Sequence, residues 1–168
     1  EELAATDAML GDLDALNLPY KALSPLAASG ALKANFSYNV TDTDDAAYTL
    51  PAIADAKKGD KILVRYDVVL ADGQKHDYGT AGEFFATWST IYKSDDQANG
   101  SVLSLVTRPD GTDDDFLKLT GATNAGPGIG STLCFVFDGS KWGVNGILYS
   151  SGTGAAADVT CAFAETAG

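Results

Sequence analysis

Histidine is almost missing from this chain of 168 residues: His76 is the only one. Cysteine is nearly as scarce, with Cys134 and Cys161. Together these are too few ligands for a usual structural zinc site. A Cys–His nucleophile pair would require one thiol to leave an apolar strand. No Gly-x-Ser-x-Gly elbow occurs. Basic residues are also few: 11 Lys+Arg stand against 23 Asp+Glu, for a net charge of −12. Nucleic-acid binding requires a basic footprint, and an anionic membrane surface selects for one too, so neither partner is expected. No apolar run approaches the roughly 18 residues of a membrane span, and no basic stretch followed by an apolar one suggests a secretion leader. No fixed-period repeat is present.

One domain is expected at this length. Such a chain buries roughly 68–70% of its unfolded surface and needs no disulfide to fold. The two cysteines sit among apolar strand residues, so buried free thiols are expected, with a disulfide between neighbouring strands as the alternative. The acidic excess is even along the chain, which indicates a solvated surface more than an acidic tail.

Residues 2–16 read as a helix, with Leu3, Leu10, Leu13 and Leu16 near one face as candidate partner contacts. Pro19 and Pro25 then bracket an extended arm from Leu18 to Ser29. Residues 1–30 are therefore taken as helix and arm, and 31–168 as the β-domain. From residue 31 short apolar segments alternate with turn signals at intervals of about 8–12 residues, the pattern of an antiparallel sandwich or barrel of nine to ten short strands. Lys61 to Leu70 reads as an interior strand, and Asp72-Gly73 as a hairpin turn leading into Lys75 to Tyr78. That places His76 near a turn, exposed. Phe84 to Tyr92 reads as a strand through its Thr and aromatic content. Leu133 to Phe137 is apolar throughout and suits a strand buried on both faces. Asp138-Gly139-Ser140-Lys141 turns it into Trp142 to Leu148.

Candidate chemistry is thin. Gly126-Pro-Gly-Ile-Gly-Ser-Thr132 resembles a phosphate loop, but it lacks the Lys, and a strand rather than a helix follows. Asp110, Asp113, Asp114 and Asp115 form a weak candidate Ca²⁺ site, out of register with an EF-hand. A glycosidase needs only two carboxylates, yet carboxylates on turns are ordinarily solvated charges. No enzymatic activity and no cofactor are expected. Asn35, Asn39 and Asn99 fit the glycosylation sequon, which matters only in a secretory pathway.

Two ordered segments carry a resemblance. Tyr48-Thr-Leu-Pro-Ala-Ile-Ala-Asp-Ala-Lys-Lys-Gly-Asp-Lys-Ile-Leu-Val-Arg-Tyr66 is followed about eighty residues later by Gly130-Ser-Thr-Leu-Cys-Phe-Val-Phe-Asp-Gly-Ser-Lys-Trp-Gly-Val-Asn-Gly-Ile-Leu148. The pair resembles β-domains on the surfaces of tailed-bacteriophage virions: capsid decoration (cement) proteins, head fibres and tail-fibre modules. Leu50, Pro51, Gly59, Asp138, Gly139 and Trp142 occupy the places of that pattern, over roughly residues 46–150. The resemblance implies a virion structural protein, most specifically a decoration protein on the capsid surface, made in the host cytoplasm. Its implied partners are two further copies in a homotrimer and the major capsid protein. Cytoplasmic synthesis favours free thiols. The family carries no catalytic residues, so none are transferred. A fibre domain that binds receptors or glycans is the alternative, and a secreted carbohydrate-active β-protein the second. Trp142 is expected to anchor a core or a trimer seam.

Overall fold

A computed structural model describes residues 23–83, 85–94, 104–110, 114–122, 127–150 and 160–165. These hold twelve strands and no helix: β1 (Ser24–Leu26), β2 (Gly30–Ala31), β3 (Phe36–Val40), β4 (Ala46–Thr49), β5 (Lys61–Tyr66), β6 (Lys75–Gly79), β7 (Thr90–Ser94), β8 (Ser104–Thr107), β9 (Phe116–Thr120), β10 (Thr132–Phe137), β11 (Trp142–Tyr149) and β12 (Thr160–Ala164). The helix expected over 2–16, with Leu3, Leu10, Leu13 and Leu16, lies outside the described residues.

The strands make two sheets around one core. The larger has the order β1-β3-β5-β10-β11-β7-β8, and the smaller β12-β9-β6-β4-β2. The all-β expectation holds, but the antiparallel one does not. Half of the ten pairings are parallel. The cause is the path of the chain. Each of the first six strands crosses to the opposite sheet, so neighbours within a sheet are alternate strands running the same way. The coil widens as it goes: Tyr38 lies beside Ser24, and His76 beside Ala46.

Period-2 alternation builds the strands. β5 and β10 bury every second residue, and Ile62, Val64, Tyr66, Leu133 and Phe135 are fully covered. From the smaller sheet Tyr48, Tyr78, Leu117 and Leu119 face them. Tyr78 and Phe135 meet across the layers with ring centroids 5.5 Å apart. The arm is part of this body too: β1 pairs with β3, and Leu26 enters the core.

Two turn assignments change. Asp72-Gly73 does turn the chain, with Gln74 N–H donating to the Ala71 carbonyl. It makes no hairpin, because β5 and β6 belong to different sheets. The interior strand stops at Tyr66 rather than Leu70. In the Phe84 to Tyr92 segment, β7 starts only at Thr90. Before it, Ala86 N–H donates to the Trp142 carbonyl, and the Ser89 hydroxyl accepts the Val144 N–H. A side chain there takes a role that a strand backbone would have filled.

Candidate functional site

The two resemblance segments meet at one end of the sandwich. β5 and β11 both pair with β10, one on each side, so the halves are adjacent in the larger sheet. Asp138 organises the turn between β10 and β11. Its Oδ1 accepts the Ser140 and Lys141 N–H groups at 2.8 and 2.9 Å. These donors, Lys141 foremost, hold the Asp138 carboxyl below its ordinary value, with help from Trp88 and Lys58. Gly139 adopts φ 104°, a conformation that favours glycine, and a Cβ added there would lie 3.4 Å from the Lys58 stem.

From the other half, Leu50 is buried and Pro51 stops β4. The Pro51 carbonyl accepts the Trp142 indole N–H at 2.8 Å, across 91 positions of sequence. Gly59, at φ 94°, donates its N–H to the Phe137 carbonyl at 2.9 Å, and Phe137 N–H returns a bond to the Asp60 carbonyl. Phe137 and Trp142, the last cross-strand pair of the hairpin, lie with ring centroids 5.4 Å apart. Trp142 is only 3% exposed. Leu50, Pro51, Gly59, Asp138, Gly139 and Trp142 thus form one clasp, and its chemistry is structural.

The carboxylates read as a weak Ca²⁺ candidate are differently employed. Asp114 and Asp115 are buried, and each accepts a backbone N–H, from Asp110 and Gly82 respectively. Asp113 lies outside the described residues. Among the described residues, no three His, Cys, Asp or Glu side chains converge as a metal site would require. The cysteines are free and belong to different sheets. Cys134 faces outward from β10, while Cys161 is buried on β12, its thiol pushed up to about 12 by burial. A bond between neighbouring strands is therefore not formed. The side-chain amides of Asn35 and Asn39 donate to the Asp60 and Asp67 carboxylates, so both sequon side chains are engaged.

His76 is not exposed at a turn; it is fully buried. β6 turns it inward, where it contacts Tyr48 and Tyr66. Its Nε2 lies 2.9 Å from the Asp44 carbonyl, which can only accept, so Nε2 carries the proton. Nδ1 then accepts the Tyr66 hydroxyl at 3.0 Å, and the Tyr66 oxygen accepts the Tyr78 hydroxyl at 2.9 Å. Burial holds both of these phenols neutral and pushes the His76 value down.

A pH dependence follows from that neutral imidazole. The unfolded chain takes up a proton on His76 near pH 6.5, while the folded chain resists until lower pH. The unfolded state then binds more protons, so stability falls as pH drops below about 6.5 and is complete above it. The slope reaches at most about 1.4 kcal/mol per pH unit, the one-proton limit. Urea midpoints at pH 7.5 and 5.5 should differ in the wild type and coincide in His76→Gln. Because the chain has no other histidine, an unchanged slope in the variant would exclude His76 as the source.

A different surface stands out once both sheets are in place. Position alternation puts Leu63, Cys134, Val136, Ile147, Tyr92 and Val106 on the outer face of the larger sheet. Trp88 also lies there, flat over Gly143, where an added Cβ would sit 2.1 Å from its ring. Its indole N–H is held by Asp138 at 3.1 Å, and the side chain remains 40% exposed. Comparison with models of protein families, with curated proteins and with solved structures finds no match for this chain.

Proposed function

We propose that this chain is a structural protein of a tailed-phage virion, specifically a decoration protein that binds the outside of the head and stabilises it. Its partners in this reading are the major capsid protein and two further copies of itself, and its place is the capsid surface. One observation carries the proposal beyond the sequence. The two separated segments that resemble virion-surface β-domains fold into a single interlocked clasp, joined by Trp142 to Pro51 and by Gly59 to Phe137. This interlocking supports reading the two segments as parts of one pattern. The acidic charge of −12 suits a virion exterior, where it opposes nonspecific association.

One observation favours the second reading, a fibre domain that binds glycans. Trp88 presents a 40% exposed indole on the outer face of the larger sheet, with Gly143 beneath it and Asp138 at its edge. A held aromatic ring of this kind can stack on a sugar. Cosedimentation separates the two readings. The purified chain should bind expanded, empty heads of its own phage to a saturating stoichiometry. Binding to host cells or glycans with none to heads would overturn the decoration reading and leave the fibre reading in its place.

A further inference from the structure

We propose that the outer face of the seven-stranded sheet is the surface by which one copy of this chain packs on another. This deepens the function proposed above and rests on it only for the expectation that copies assemble.

The first ground is a mismatch between sequence and coverage. Leu133 to Phe137 is apolar at every position, the pattern of a strand buried on both faces. Among the described residues only one face is covered. Leu133, Phe135 and Phe137 are buried, while Cys134 and Val136 look outward and are half-buried. β10 is the fourth of seven strands, so this uncovered strip runs through the centre of the sheet. On either side further outward positions are apolar, set among Lys61, Arg65, Asn145 and Thr90. Leu63, Ile147, Tyr92 and Val106 are 40, 43, 46 and 47% exposed. Register gathers them into two groups, Leu63 beside Cys134, and Ile147 beside Tyr92 beside Val106, with Thr132 and Asn145 between the groups. Exposed apolar groups of this size at the middle of a sheet, interrupted only by uncharged Thr132 and Asn145, mark an interaction surface.

The second ground is charge, and it selects the occupant. The chain carries −12, so two copies repel across most surfaces. Yet the outward positions of β3, β5, β10 and β11 include no Asp or Glu. The only ionised side chains among them are Lys61 and Arg65, and Arg65 is paired with Asp67 at 2.9 Å at the end of β5. This face is therefore one that two identical acidic chains can bring together with carboxylates, Asp67 and Asp138, only at its edge. Apolar and aromatic side chains at the centre with charge at the rim is the composition of a protein–protein interface. The smaller sheet differs. Its outward positions are more polar: Ala47, Thr49 and Lys75 are exposed, Lys118 and Thr120 half-buried, and Asp77 buried.

Native mass spectrometry of the full chain tests this. The wild type should give a multiple of the chain mass. Ile147→Asp should give the monomer mass with an unchanged far-UV circular dichroism spectrum, and so should Leu63→Asp, which serves if the first variant fails to fold. Thr49→Asp, on the outer face of the smaller sheet, should keep the wild-type mass. A monomeric wild type overturns the inference. So does a wild-type mass in folded Ile147→Asp or Leu63→Asp, an outcome that leaves head binding intact as a separate question.

Discussion

Trp142→Ala is expected to destabilise the chain by about 3–5 kcal/mol, the usual range for deleting a buried large aromatic side chain. That is a large part of the roughly 5–15 kcal/mol that holds a domain folded. The indole is 3% exposed and packs on Phe137, so its removal leaves a cavity under the β10–β11 turn. It also removes the donor to Pro51, which ties β11 to the end of β4. Trp142→Phe separates the two effects. It keeps most of the ring volume and loses the N–H, for a cost of about 1 kcal/mol from the hydrogen bond plus a smaller packing term. Urea unfolding at one fixed protein concentration measures both. A loss of less than 1 kcal/mol in Trp142→Ala would mean that the clasp is not what holds the two segments together. The residue first expected in a core or a trimer seam lies in the core of the single chain. Its loss therefore damages the fold before it can report on assembly.

Tyr66→Phe should cost about 2–4 kcal/mol, more than the loss of one hydroxyl ordinarily does. The Tyr66 oxygen is the middle of a buried relay. Without it the Tyr78 hydroxyl has no acceptor there, and His76 Nδ1 has no donor. Each buried group left unmatched carries its own desolvation penalty of about 1–3 kcal/mol. Tyr48→Phe is the contrast. Tyr48 is as buried and touches the same rings, but its hydroxyl has no hydrogen-bond partner among the described residues. Removing an unpaired buried hydroxyl should be neutral or stabilising. Thermal or urea unfolding of the two variants side by side checks this. Equal losses in both would show that the relay is not cooperative and that ring packing alone matters.

Much of the architecture was legible in the residues. Alternation at Lys61 to Tyr66 and at Phe116 to Leu119 gives strands, and the Asp-Gly turn before Trp142 gives the hairpin that forms. These signals are local, because side-chain period and turn chemistry are fixed within a few residues. Partner and direction are not local. β5 and β6 flank a good turn sequence yet lie in separate sheets, because β6 finds β4 on one side and β9 on the other. The misplacement of His76 followed from that one error. A hairpin near a turn tip would expose it, whereas a crossing strand carries it into the core.

The clasp was legible as a list of positions but not as a contact. Nothing in a sequence links Pro51 to Trp142 over such a distance along the chain. The outer face was half-legible. Continuous apolarity at Leu133 to Phe137 predicts a strand buried on both faces, whereas among the described residues only the face of Leu133, Phe135 and Phe137 is covered. Trp88 carried no signal of its own, since an aromatic residue in an apolar segment reads as core. Only Gly143, which leaves room for the ring, accounts for its place outside.

The native mass of the full chain in solution tests most directly whether this protein works by assembly. A stable trimer at micromolar concentration is predicted, with the outer face of the seven-stranded sheet inaccessible in it. A clean monomer at the same concentration would contradict the virion reading and the self-packing surface together.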